Sequence, residues 1–210
     1  MLVCPLCRIQ FVQSSQHIQG REYYSCPECF LLFVDPRFYL PIEQEKVRYD
    51  QHTNHPTDVK YQNYIQNFLN KLIPQIKLGA KGLDFGCGPG PTISHLLNQQ
   101  GFEVQDYDLH FFCDKNLLKN KYDFVTCTEV VEHFQQPQEG WAQLRDLLHS
   151  QSVLMVVTQV YDHQNLNRWH YLRDVTHVCF YSVRTMQWIA QKYSWTLNSE
   201  PDQGVFFFQV

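Results

Sequence analysis

The sequence predicts an α/β fold, a mostly parallel sheet with helices on both faces, preceded by a small β-rich unit built around a metal ion. Three observations carry that reading. From residue 57 onward, runs with strand character alternate with runs of helical spacing. A glycine-rich turn, Gly86-Cys87-Gly88-Pro89-Gly90, joins one such strand to one such helix. Two Cys-x2-Cys pairs fall within the first 40 residues.

Residues 1–40 hold four of the eight cysteines, short β-rich runs such as Phe30-Leu31-Leu32-Phe33-Val34, and the breaker Asp35-Pro36, so they read as a separate unit. Residues 41–56 turn polar, with Gln44, Glu45, Asp50, Gln51, His52, Asn54 and His55, which suits a linker lying across the next domain. The main domain is expected over 57–210. Thr57 or Asp58 can cap a helix in which Tyr61, Ile65, Phe68, Leu69, Leu72 and Ile73 recur at helical spacing until Pro74 stops it. Strands are expected over 82–85, 102–107, 122–128 and 153–158, and helices over 92–100, 138–149 and 182 to 192, with two strands closing the chain.

Composition sets limits. A hydrophobic fraction of 44% with 18% charged residues is ordinary for a globular chain with a sizeable core, which needs no cysteine staples. The net charge is −4 and no block of consecutive basic residues occurs, so the broad electrostatic footprint of a nucleic-acid binder is missing. No segment approaches the ~20 apolar residues of a membrane span, and Met1 to Val12 shows no basic lead followed by an apolar stretch. The expectation is a cytoplasmic protein without a membrane partner. There, thiols stay reduced and paired cysteines read as metal ligands.

Cys4-Pro-Leu-Cys7 and Cys26-Pro-Glu-Cys29 are separated by 18 residues, within the spacing of a four-thiolate zinc site. Four thiolates leave no open coordination position, so a zinc ion there is structural. Redox dithiols or core cysteines are the alternative. Arg8, Arg21 and Arg37 balance Glu22, Glu28 and Asp35, and four thiolates on one dication then make the loaded unit net acidic. Cys87, Cys113, Cys127 and Cys179 have apolar neighbours in sequence and read as buried small residues.

At the turn, Gly86, Gly88 and Gly90 let backbone approach a ligand at the carboxyl edge of the sheet. Asp108 ends the next strand 18 residues after Gly90, where its carboxylate can accept from both ribose hydroxyls of an adenosyl ligand. Pro91 stands where a dinucleotide fold places its third glycine, so NAD is disfavoured. S-adenosylmethionine offers an ammonium instead of a pyrophosphate, and Asp84 just before the turn can attract it.

With those residues, and with Tyr122-Asp123-Phe124-Val125 running into Glu129-Val130-Val131-Glu132-His133, the chain resembles the class I S-adenosylmethionine-dependent methyltransferases from about Thr57 onward, and so a Rossmann-like sheet. The resemblance implies that Thr128 and Glu129 border the cofactor. It departs from the family where only about a dozen residues separate Asp108 from Tyr122, which compresses the third strand and leaves Asp114 as the candidate adenine-side acid. Tyr49, His52 and Tyr61 can close over the cofactor, although Tyr61 also matches the core stripe of its helix.

After the fifth strand, Trp169-His170-Tyr171-Leu172-Arg173-Asp174-Val175-Thr176-His177 is dense in polar and aromatic groups. It resembles a Tyr-x-x-Asp-x-Thr-His pattern in bacterial methyltransferases with a similar cysteine ribbon. The loop from His163 to Tyr181 is expected to wall the acceptor pocket, with His177 and Asp174 toward the methyl group. His177, His170 or His133 can serve as general base, or can be structural. Glu132 can brace the following turn. Three functions follow: methyl transfer to a small molecule, RNA methylation with the ribbon as recognition module, or a non-catalytic adenosyl sensor. The oligomeric state is not legible.

Overall fold

The computed structural model describes residues 2–11, 15–51, 55–161 and 166–210. The cysteine-bearing unit begins with a hairpin of β1 (Leu2–Val3) and β2 (Gln10–Phe11), followed by β3 (Gln16–Ile18), β4 (Arg21–Ser25) and β5 (Leu32–Val34). Residues 42–49 form a helix, α1 (Ile42–Tyr49), where polar composition had suggested a linker. It is followed by α2 (Val59–Leu72), whose Lys60 and Tyr61 N–H groups bond the Asp58 carboxylate as an N-cap.

The main sheet is then laid down as β6 (Lys81–Phe85), α3 (Thr92–Asn98), β7 (Glu103–Tyr107), β8 (Tyr122–Thr128), α4 (Pro137–Asp146) and β9 (Leu148–Val157). A two-residue strand, β10 (Cys179–Phe180), precedes α5 (Val183–Tyr193), and β11 (Thr196–Glu200) and β12 (Val205–Gln209) close the chain. The strand order is β11-β12-β9-β8-β6-β7, with β7, β6, β8 and β9 parallel and β12 antiparallel to both neighbours. No strand or α-helix forms between β7 and β8, so the compression seen in the sequence is real: one short 3-10 turn, Leu117–Lys119, makes the crossover.

Alternate residues of the central strands serve opposite faces. Val153, Met155, Val205 and Phe207 pack with Ile65, Leu69 and Leu97 of α2 and α3. Leu154, Val156, Phe206 and Phe208 pack with Trp141, Leu144, Met186 and Ile189 of α4 and α5. That second core continues into the cysteine-bearing unit through Leu31, Leu32, Phe33, Tyr171 and Phe180.

The two parts also share a sheet. β10 pairs with β5, Cys179 opposite Phe33 and Phe180 opposite Leu32, giving a four-stranded order β10-β5-β4-β3. Tyr161 donates a 2.6 Å hydrogen bond to the Phe30 carbonyl, and the Arg184 guanidinium lies 3.5 Å from the centroid of the Phe30 ring. Of the four remaining cysteines, Cys127 and Cys179 are buried as expected, but Cys113 is exposed and Cys87 half-buried, because the 109–121 crossover and the glycine turn lie at the sheet edge rather than under a helix. Among the described residues no helix is long and apolar enough to cross a membrane.

Candidate active site

A cleft of about 1130 Å³ opens along the carboxyl ends of β6, β7 and β8, and α1 roofs it with Ile42, Glu45 and Tyr49, three positions on one helical face. Asp84, Gly86, Gly88, Gly90, Asp108, Thr128, Glu129 and Tyr61 line it, and so do His133, Asp174 and His177. Asp114 does not: it is exposed, and its side chain caps the turn at Asn116. His170 is also outside, exposed beside Gln159. His52 and His163 lie outside the described residues.

On the glycine-turn side, register places Asp84 beside Asp106 on one neighbour and Thr126 on the other. Thr126 donates a 2.7 Å bond to Asp84, and Ser94 a 2.9 Å bond to Asp106. Burial drives the Asp84 carboxyl up to about 7; the Thr126 bond opposes that rise, and the charges of Asp106 and Asp108 add to it. Asp108 accepts from the N–H groups of His110 (2.7 Å) and Phe111 (3.1 Å) on Oδ1 and of Gly88 (3.1 Å) on Oδ2, which fixes its orientation and leaves a lone pair on Oδ2. Gly86 has φ +80°, and a Cβ on it would stand 2.4 Å from Val130. Gly88, at φ +66°, points its missing side chain into open space of the cleft.

The opposite wall is polar and crowded. Glu132 is fully buried and accepts from the Thr158 hydroxyl at 3.0 Å, and the Tyr171 hydroxyl bridges Glu132 and Glu129, the latter at 2.8 Å. Burial raises both carboxyls above the usual range, and the charge of Glu129 pushes Glu132 further. Glu129 adopts φ +53°, a left-handed conformation that a non-glycine residue keeps only where its surroundings hold it. The His133 and His177 rings meet edge to face with centroids 4.7 Å apart, and Tyr49 of α1 meets His133 edge-on at 5.2 Å. Burial would raise the Asp174 carboxyl, but the Thr176 hydroxyl (2.6 Å) and N–H (3.0 Å), with the charges of His177 and Arg48, bring it down to about 2. It is a turn-forming carboxylate.

A sequence profile of methyltransferase domains matches residues 58–200. The chain belongs to that family and is an S-adenosylmethionine-dependent methyltransferase. Solved structures share its fold. A protein from Pyrococcus horikoshii aligns with a TM-score of 0.56 at 15% identity, over 79% of this chain and 98% of that one. The 1,6-didemethyltoxoflavin-N1-methyltransferase of Burkholderia thailandensis, solved with 1,6-didemethyltoxoflavin and S-adenosylhomocysteine, aligns with a TM-score of 0.52 at 13% identity, over 93% and 98%. A SAM-dependent methyltransferase from Archaeoglobus fulgidus gives 0.52 at 20% identity, over 64% and 69%. No curated protein matches.

The methyltransferase's cleft fits an adenosyl ligand with an amino-acid tail. Among the described residues, Asp84 is a deeply placed carboxylate facing no cation and the Thr128 hydroxyl is buried without a partner, and Gly88 leaves the space a Cβ would fill. The cysteines fit a metal equally. Cys4 and Cys29 stand 3.5 Å apart, as do Cys7 and Cys26, and all four sulfurs lie within 4.8 Å of one another. A tetrahedral zinc ion with ~2.3 Å bonds sets sulfurs about 3.8 Å apart. Each pair sits in the same turn: the Cys4 and Cys26 N–H groups bond the Ile9 and Leu31 carbonyls, and Arg8 and Phe30 take positive φ.

Sequence reasoning missed Arg21. Buried in β4, its guanidinium donates to the carbonyls of Leu172 (2.5 Å), His177 (3.2 Å), Val175 (3.3 Å) and Asp174 (3.4 Å), so the cysteine-bearing unit holds the loop that carries His177. Glu45 and His110 were also missed; both line the cleft, Glu45 accepting from Gln135 at 2.8 Å. The spacing of Ile42, Glu45 and Tyr49 on one face was the available signal for α1.

Proposed function

We propose that this enzyme moves the methyl group of S-adenosylmethionine to a small acceptor held between the glycine turn and the Glu132, His133 and His177 wall, and that Cys4, Cys7, Cys26 and Cys29 hold a structural zinc ion. The cleft at the carboxyl edge of the sheet carries the reading. At about 1130 Å³ it exceeds the usual range for one small ligand, roughly 300–1,000 Å³, and α1 roofs it, which suits a cofactor and a compact acceptor rather than a polymer. That a Burkholderia enzyme of the same fold was solved with a small heterocycle beside S-adenosylhomocysteine supports the choice. In this arrangement Asp84 takes the ammonium, Asp108 the ribose and Thr128 a further polar group of the cofactor. Transfer needs alignment of the acceptor in line with the sulfonium and removal of its proton.

Calorimetric titration with S-adenosylhomocysteine across pH tests the cofactor assignment. Without ligand the Asp84 carboxyl takes up its proton near pH 7, whereas an ammonium beside it demands the carboxylate. Affinity should therefore fall by up to about tenfold per pH unit below about 7. Asp84→Asn should bind weakly at every pH, and because a raised carboxyl pKa lowers native stability as pH rises through about 7, it should raise Tm more at pH 8 than at pH 5. Equal affinity at pH 6 and 8 would move the ammonium elsewhere. A panel of small acceptors assayed for S-adenosylhomocysteine release then identifies the substrate; methylation of bulk RNA alone would contradict the small-acceptor reading.

A further inference from the structure

We propose that Glu132, His133 and His177 form a second metal centre, which holds a divalent transition-metal ion at the acceptor end of the cleft. Each residue offers one ligand atom, and the three atoms lie within 4.8 Å of one another. Bonds of about 2.1 Å close that separation with small side-chain rotations.

The hydrogen bonding already orients both rings. Nδ1 of His133 lies 3.2 Å from the Thr176 carbonyl and Nδ1 of His177 lies 2.8 Å from the Tyr171 carbonyl. A carbonyl only accepts, so each Nδ1 carries its proton and each Nε2 carries the ring lone pair. Metal-ligating imidazoles are held in this way, one ring N–H donated to a carbonyl or carboxylate and the other nitrogen on the ion. The carbonyl partners themselves lie in the loop that Arg21 grips, so the ring positions are fixed from behind.

Glu132 supplies the negative charge. Its two oxygens are oriented by the Thr158 and Tyr171 hydroxyls, as outer partners orient a ligating carboxylate. Among the described residues neither Glu132 nor Glu129 pairs with a lysine or arginine. Two neighbouring buried carboxylates without a fixed cation are costly unless positive charge is supplied, and a metal ion supplies it. Two imidazoles and a carboxylate, with Glu129 adjacent, suit manganese, iron, cobalt or zinc rather than calcium or magnesium, and leave coordination positions open. His133 and His177 line the cleft, so the open positions lie on the acceptor's side.

The ligand class follows. An acceptor hydroxyl bound to the ion loses its proton to solvent at lower pH than in water. Its oxygen attacks the sulfonium methyl carbon, an O–C bond forms, the S–C bond breaks with its electron pair left on sulfur, and S-adenosylhomocysteine is released. This oxygen chemistry rests on the proposed function; the ion site rests on the three residues.

The test is Mn2+ titration of the full chain with its cysteine site zinc-loaded, followed by electron paramagnetic resonance, beside a calorimetric titration with S-adenosylhomocysteine. Soft thiolates retain zinc, whereas Mn2+ selects the imidazole and carboxylate set. One Mn2+ per chain is expected, bound at least about tenfold more weakly by Glu132→Gln and by His133→Asn, with S-adenosylhomocysteine affinity retained as the measure of folding. Wild-type protein that binds S-adenosylhomocysteine but takes up no Mn2+, or Mn2+ uptake unchanged in both variants, would overturn the proposal. Failure to bind S-adenosylhomocysteine counts instead against the cofactor assignment, since Mn2+ uptake is read without it.

Discussion

The two walls of the cleft are held by different physics. The glycine-turn wall is local: Asp84 and Asp108 come from the carboxyl ends of two adjacent strands, Gly86 and Gly88 from the turn that leads from the first strand into α3, and backbone N–H groups of the same stretch orient Asp108. The opposite wall is assembled from α1, from residues 129–133, from the loop of Tyr171 to His177, and from Arg21 in the cysteine-bearing unit, more than 150 positions away from that loop. A wall made of one continuous segment survives damage elsewhere. A wall made of distant segments depends on each of them, so changes in the first 40 residues should reach the acceptor side and spare the cofactor side.

The largest effect should come from Cys26→Ser. Structural zinc contributes apparent folding free energy of about 10–16 kcal/mol in small zinc units, so losing one thiolate should unfold residues 2–34 and, with β5 and Arg21 gone, release the loop of residues 172–177. Hydrogen exchange should show both regions open while calorimetry finds S-adenosylhomocysteine affinity within a few-fold of wild type. His177→Ala comes next. With an acceptor found by screening, turnover should fall by roughly 10²-fold to 10⁴-fold with cofactor affinity nearly intact. If both ligands loosen together with Tm, the residue is structural.

Arg21→Met keeps the apolar stem but removes a charged donor from buried carbonyls, which costs about 1.5–3 kcal/mol. Tm should drop and amides 172–178 should exchange faster, again without a change in cofactor binding. The smallest change is confined to the other wall. Asp108→Ala should weaken S-adenosylhomocysteine by about 1–3 kcal/mol, because the ribose loses a charged acceptor, and should leave the 172–178 amides protected. Any of these substitutions that affects both walls equally would erase the distinction between them.

The same contrast explains what the sequence disclosed. The glycine turn, Asp108 and the cysteine pairs were legible because each is set by short spacing and local backbone geometry, and the alternation of strands and helices placed the main elements within a few residues. The compression of the third strand was legible from the short Asp108 to Tyr122 interval, although its complete replacement by a 3-10 turn was not. Arg21 was not, since an arginine in a short strand is ordinarily exposed, and its burial depends on carbonyls contributed by a loop far along the chain. The helix at Ile42–Tyr49 was hidden by its polarity: of its eight residues only one is buried, and that one is Glu45. Asp114 was chosen by elimination after Asp108, yet a crossover without a strand gives it no edge from which to face the cleft. The pairing of β10 with β5 lies beyond any local signal, because two-residue strands carry no period.

A structure with S-adenosylhomocysteine bound tests most directly whether one cleft serves both cofactor and acceptor. The adenosyl ribose should meet Asp108, the ammonium Asp84, and the sulfur should face His133 and His177 across a space the size of a small acceptor. A sulfur pointing away from His177, with the imidazole more than about 10 Å from it, would contradict this arrangement, because proton transfer or a shared ion needs hydrogen-bond reach or a single bridging water.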